Sequence, residues 1–264
     1  MMNKTLFRFL LIVLVGLAIY AGLKEIPWKK IFHIDKVNVE IGKEFGDQMW
    51  EAIQQQETLD TNQRNIHLVD TLVDIICTQT GGNKGKGNQL NREDFTVHVI
   101  VKDQVNAFAM PGGHLVVHSG LIEACETPEQ LAGVLAHEMV HINEEHVTKK
   151  LIKEVGLGVL ATIVGGNGEI VREVLRHLSS TAYDRSLERE ADLKGAELLH
   201  NVSINPEGMA EFMDYMANLP ESKSMENLDW LSTHPDSKDR AKDIREAAKK
   251  FGPNKKYAKL NVGF

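Results

Sequence analysis

Cysteine is almost absent: the 264 residues contain two, Cys77 and Cys125. They lie far apart and show no metal-binding spacing, which argues against a disulfide scaffold and a cysteine-rich zinc module. Two buried thiols are the expected state, with a pair in an oxidising compartment as the alternative. Excess positive charge is also missing. A formal net charge of −7 at pH 7 gives no reason to expect a nucleic-acid partner. Internal repeats and low-complexity tracts are missing too. Long hydrophobic runs are limited to one, from Phe9 to Leu23, flanked by Lys4 and Arg8 before it and Lys24, Glu25 and Lys29-Lys30 after it. One run of this kind excludes a multi-spanning membrane enzyme, and no cysteine follows it to carry a lipoprotein anchor.

What remains is 42% hydrophobic and long enough for one sizeable core. The organisation read from this is an N-terminal membrane anchor or signal segment with its linker over residues 1–30, then one folded domain over 31–264. The apolar segment at 5–23 is at the short end of the spanning range. Ala18-Ile19-Tyr20-Ala21 matches a small-x-small cleavage site poorly, because Ile19 and Tyr20 are bulky. An uncleaved anchor is therefore expected, with the folded domain in the periplasm or an equivalent extracytoplasmic space. The alternative is secretion to the periplasm after signal cleavage.

The most informative stretch is His137-Glu138-Met139-Val140-His141, which reads HExxH. Its surroundings are helical. Thr127-Pro128-Glu129-Gln130 supplies an N-cap, a proline at the first helical position and the acceptor of a capping box. Leu131, Val134, Leu135, Met139 and Val140 then recur at helical period, while Ala132, Gly133 and Ala136 leave room for a close neighbour. On a helix, residues four apart share a face, so His137 and His141 can grip one Zn²⁺. Glu138 is turned about 100° away, beside the open position, where it can take a proton from the attacking water. Downstream, Ser186-Leu187-Glu188-Arg189-Glu190-Ala191-Asp192 is again helical. Glu188 completes a His₂Glu set, and Asp192, one turn on, suits the outer N–H of a ligand imidazole.

Coarse periodicity fills in the rest. A helix is expected over 37–60, with Ile41, Phe45, Met49, Trp50 and Ile53 on one face, and a second from about Asn65 to Cys77. Gly81 to Gly87 forms a glycine-rich loop. Phe95–Val101 and His114–His118 are β-branched and read as strands. Leu115, Val116 and Val117 are expected to present an edge that holds a substrate in extended form by main-chain hydrogen bonds. His98, His114 and His118 read as packing or surface residues. The run from Val155 to Gly166 is too short to span a bilayer and reads as core, or failing that as a lid.

Four motifs in order, Asn106-Ala107-Phe108-Ala109-Met110-Pro111-Gly112-Gly113, HEMVH, Glu188-x-x-x-Asp192 and Thr233-His234-Pro235 with Arg240, resemble peptidase family M48 over roughly residues 40 to 245. The resemblance is to its group with a single N-terminal membrane segment. It implies an α+β, predominantly helical, zincin-like metalloprotease domain with a small β-sheet beside the HExxH helix. It implies one Zn²⁺ per chain on His137, His141 and Glu188, with Glu138 as the acid/base. His234 is then catalytic, stabilising the oxyanion, or else occupies the fourth position of the zinc and silences it. Arg240 orients a site carboxylate. Where the family has a Ser-Arg pair ahead of the third ligand, this chain has Asp184-Arg185-Ser186. The implied function is a zinc endopeptidase acting on unfolded or misassembled proteins at or near a membrane. The alternative is a latent zinc-binding, chaperone-like module with little proteolysis.

Overall fold

The structure is a computed structural model that describes residues 34–78, 90–156, 168–218, 230, 233–234, 237–252, 255–257 and 259–264. The chain divides into two units, Met1–Glu40 and Ile41–Phe264. The apolar run at 5–23, the glycine-rich loop at 81–87 and nearly all of the segment at 155–166 lie outside the described residues. Among the described residues no helix is long and apolar enough to cross a membrane.

The elements, in chain order, are α1 (Ile34–Gln54), α2 (Gln63–Thr78), β1 (Thr96–Ile100), β2 (Ala107–Ala109), β3 (His114–His118), α3 (Ser119–Ala124), α4 (Pro128–Asn143), α5 (His146–Val155), α6 (Gly168–Ser180), α7 (Arg185–Asn201), α8 (Glu207–Ala217) and α9 (Ser237–Lys250). This is the expected mostly helical architecture with a small sheet. The helix anticipated to reach residue 60 ends at Gln54. The residues after it turn onto the outer edge of β1, where Val101 N–H donates to Thr58 O at 2.8 Å and Asp60 N–H to Val99 O at 2.9 Å.

The sheet runs β1-β3-β2, with β3 parallel to β1 and antiparallel to β2. This corrects the expectation that Leu115, Val116 and Val117 form a substrate edge. β3 is the central strand, paired on both sides, and those three residues have no exposed surface. Its alternation explains the burial. Leu115 and Val117 enter one core with α2, α4, α7 and α8, through Leu72, Leu135, Leu199 and Phe212. Val116 points the other way, into a second core with Phe45, Met49, Val147 and Val174. A strand covered on both faces reads as a continuous apolar run, which is what made it conspicuous.

The strand at the edge is instead β2, three residues inside the Asn106–Gly113 motif that pair, among the described residues, with β3 alone. Met110 N–H donates to His114 O at 2.8 Å and His118 N–H to Asn106 O at 3.0 Å. By antiparallel alternation the main-chain groups of 106, 108 and 110 face β3, and those of Ala107 and Ala109 face away from it.

The HExxH helix, α4, is the centre of the larger core and is buried from Gln130 to His141. Thr127 Oγ1 caps it by accepting from Gln130 N–H at 3.3 Å. The Gln130 side chain reaches one residue beyond an ordinary capping box and accepts Glu126 N–H at 2.8 Å. The small residues of α4 admit two helices. Gly195 of α7 sits so that a Cβ there would lie 3.4 Å from His137 N, and α8 comes closer still at Gly133, where a Cβ would meet Met209 Cα at 2.6 Å. Both cysteines are buried as expected, and burial pushes the Cys77 thiol up to about 11. Gly133→Ala forces α8 away from α4 and should cost roughly 1–3 kcal/mol, as overpacked cores do, read as a lower thermal midpoint with the same far-UV spectrum.

Candidate metal centre

His137 and His141 leave α4 on one face, one turn apart, as the i, i+4 spacing requires. α7, seated against Ala136 through its own Gly195, brings Glu188 to the same point, and His234 joins them. Ligand-capable atoms of these four buried side chains all lie within 4.8 Å of one another. His137 Nε2 and His141 Nε2 are 3.0 Å apart. His141 Nε2 is 3.4 Å from Glu188 Oε1, and His137 Nε2 is 3.7 Å from Glu188 Oε2. Zinc bonds of about 2.0–2.1 Å in a tetrahedron put ligand atoms about 3.3 Å apart, which these spacings bracket. Two imidazole nitrogens at 3.0 Å share one proton at most. Glu188 Oε2 accepts no well-formed hydrogen bond, although Arg240 Nη1 lies 2.9 Å from it. The donor set fits a divalent cation.

The outer nitrogen of His137 lies 3.0 Å from Asp192 Oδ1. Arg240 holds that carboxylate in a fork, Nε donating to Oδ2 and Nη2 to Oδ1, both at 2.7 Å. Nδ1–H of His137 thus points to Asp192, and its Nε2 lone pair turns inward. Arg240 also donates through Nη1 to His234 O at 3.3 Å, and its guanidinium stands over the Trp230 ring, 4.9 Å from the centroid.

The electrostatics are those of a buried, balanced cluster. Burial works to raise the Glu188 carboxyl, but His234, His141 and His137 outweigh it and hold it far below the usual carboxylate range. Burial likewise opposes charge on Asp192, and Arg240 and His137 overcome it. His137 is held above an ordinary histidine: burial works against its charge, but Asp192 and Glu188 win. His141, which has no such carboxylate behind it, is pushed well below by burial.

Glu138 faces the other side of the group. Ala109 N–H, from the open edge of β2, donates to its Oε2 at 3.0 Å, and Trp230 Nε1–H donates to its Oε1 at 3.4 Å. His234 lies between the two glutamates, Nδ1 at 2.9 Å from Glu188 Oε1 and Nε2 at 3.4 Å from Glu138 Oε1. Trp230 stacks on His234 at 4.7 Å between centroids, and the Tyr183 ring lies tilted by 37° against His141 at 4.3 Å.

The structure therefore brings together His137, Glu138, His141, Glu188, Asp192, His234 and Arg240, and leaves Leu115, Val116 and Val117 in the core. Three contributors were not read from the sequence. The main chain of Ala109 carries no side-chain signal. Trp230 and Tyr183 are isolated aromatics with no spacing to mark them, although a tryptophan four residues before His234 is one helical turn away. Replacing Arg240 by Met leaves Asp192 and Glu188 buried without their cation. In the metal-free protein this should cost roughly 3–5 kcal/mol in denaturant unfolding, whereas a surface arginine would cost far less.

The sequence profile of peptidase family M48 matches residues 85–248. Over 202 residues the chain is 30% identical to a beta-barrel assembly-enhancing protease of Yersinia pestis, covering 69% of this chain and 41% of that protein. It is 30% identical over 168 residues to the metalloprotease LoiP of Escherichia coli, covering 61% and 65%. It is 29% identical over 156 residues to the mitochondrial metalloendopeptidase OMA1 of Schizosaccharomyces pombe, covering 58% and 46%. The chain thus spans less than two thirds of the length of each of these relatives. With a matched region that contains HExxH and Glu188-x-x-x-Asp192 and covers most of the chain, this protein belongs to peptidase family M48.

Proposed function

We propose that this chain is a zinc-dependent endopeptidase, with one Zn²⁺ held by His137, His141 and Glu188. The observation that carries the reading is the fixed Glu138 carboxylate, gripped by Ala109 N–H and Trp230 Nε1–H beside a buried His/His/Glu group. A zinc ion there would acidify water toward a pKa of about 7 and polarise the scissile carbonyl. Glu138 takes the proton of the attacking water and passes it to the leaving amine. Asp192 and Arg240 hold His137 in the ligand tautomer.

Substrate binding follows from β2 in place of β3. Apart from the Ala109 N–H, which Glu138 holds, the outward main-chain groups of β2 can pair with an extended chain irrespective of its sequence. Beside them a cavity of about 370 Å³ reaches from Glu138 and His234 past Phe108, Met110, Ile53 and Leu175. An open strand edge and an apolar cleft suit unfolded or misassembled proteins, the substrate class we assign. The apolar segment at 5–23 supports placement at a membrane with the catalytic domain extracytoplasmic.

A second reading has a specific observation behind it. His234 Nδ1 is 3.3 Å from His137 Nε2 and 2.9 Å from Glu188 Oε1, the place of a fourth ligand. A zinc closed by four protein groups lacks a position for water. In this arrangement His234 holds the enzyme latent and must swing away before substrate is cut.

Casein cleavage by the purified chain should fall roughly 10²–10⁴-fold in Glu138→Gln at unchanged zinc content, the range expected for a lost general base. Undiminished cleavage by that variant would refute the reading. His234→Ala should raise cleavage if His234 is a latch. A fall at equal zinc content would assign it to the oxyanion instead.

A further inference from the structure

One buried side chain of the site has no part in the chemistry above: His146, 1% exposed. It follows His141 by five positions, and on an unbroken helix it would point about 140° away from it. The helix is broken. α4 ends at Asn143, and Glu145 takes the left-handed conformation, φ 54° and ψ 31°, which a residue with a side chain adopts at a cost. That turn redirects the chain into α5 and places His146 Nδ1 at 3.1 Å from His141 Nδ1, with the two rings edge to face. Among the described residues His146 is the hydrogen-bond partner of His141 Nδ1. On its far side His146 Nε2 lies 3.6 Å from Glu190 Oε2, too long for a hydrogen bond but close enough for attraction. Glu190 is held in turn by Lys194 at 2.7 Å, and Lys194 also reaches Glu144, at the end of α4, at 2.8 Å.

We infer that His146 is the positioning residue of the metal ligand His141: its Nδ1 accepts the Nδ1–H of His141 and fixes the tautomer whose bare Nε2 faces Glu188 and His137. This rests on the zinc reading above. A metal on Nε2 leaves the proton of His141 on Nδ1, so His146 must be the acceptor, and its own proton then sits on Nε2 toward Glu190. The two ligand imidazoles are thus backed differently. His137 leans on a charged carboxylate braced by Arg240. His141 leans on a neutral ring whose bracing, through Glu190 and Lys194, runs out to the protein surface. The left-handed Glu145 is what brings that ring into place.

The test is zinc affinity of the full-length chain, measured by competition with a chromophoric chelator for wild type, His146→Leu and His146→Asn. Near-UV circular dichroism of the metal-free proteins accompanies it. Leucine fills the space without accepting a proton, and should weaken zinc binding roughly 10- to 100-fold, the usual effect of losing such a partner. Asparagine places an amide oxygen where Nδ1 stood and should recover most of the loss. Wild-type affinity in the leucine variant, or no recovery with asparagine, overturns the inference. If the leucine variant does not fold, the asparagine variant decides: affinity near wild type supports the role and a large loss overturns it. Should wild type itself take up no zinc, the metalloprotease reading fails and this inference with it. Normal zinc uptake with no effect of leucine removes only His146.

Discussion

The site depends on one buried guanidinium. Arg240 forks onto Asp192 and lies 2.9 Å from Glu188, so a single cation serves two carboxylates that α7 carries one turn apart into the protein interior. Burying two carboxylates with no cation beside them would be prohibitively costly. The same side chain donates to His234 O and stands over Trp230, and so ties both residues to the site. Through Asp192 it sets the proton on His137, and it also faces Glu188, whose charge the three histidines favour.

Around that centre the fold divides its labour. α4 is the central element, capped by Thr127 and met by α8 at its Gly133 and by Gly195 of α7 at Ala136 and His137, where nothing projects between the helices. β3 is a structural spine buried on both faces. β2 is the strand at the sheet's edge. It is short, it has an edge turned away from the sheet, and it reaches the centre through the hydrogen bond from Ala109 N–H to Glu138. That bond ties the outer edge of β2 to the Glu138 carboxylate.

The legible parts of this arrangement were those written in helical period. HExxH and Glu188-x-x-x-Asp192 are i, i+4 pairs on helices whose caps and apolar stripes are visible in the sequence, so their convergence needed only a second helix to come near. The position of β3 in the sheet was not legible. Strand order is a tertiary fact, and a run of buried β-branched residues fits a central strand better than an edge. β2 escaped because three residues, two of them alanine, carry little strand propensity. The early end of α1 escaped because Glu57, Leu59 and Asp60 do not break a helix by type; pairing with β1 overrides them. His146 escaped for a different reason. Its spacing from His141 fits no helix face, and only a left-handed residue that sequence gives no reason to expect brings the two rings together.

The account stands on the buried His/His/Glu group being a metal centre, and X-ray absorption at the zinc edge of the purified full-length chain tests that most directly. The account predicts one zinc per chain, four-coordinate, with nitrogen and oxygen neighbours at about 2.0–2.1 Å and more than one imidazole in the scattering. No stoichiometric zinc, or a shell containing sulfur at about 2.3 Å, would contradict it.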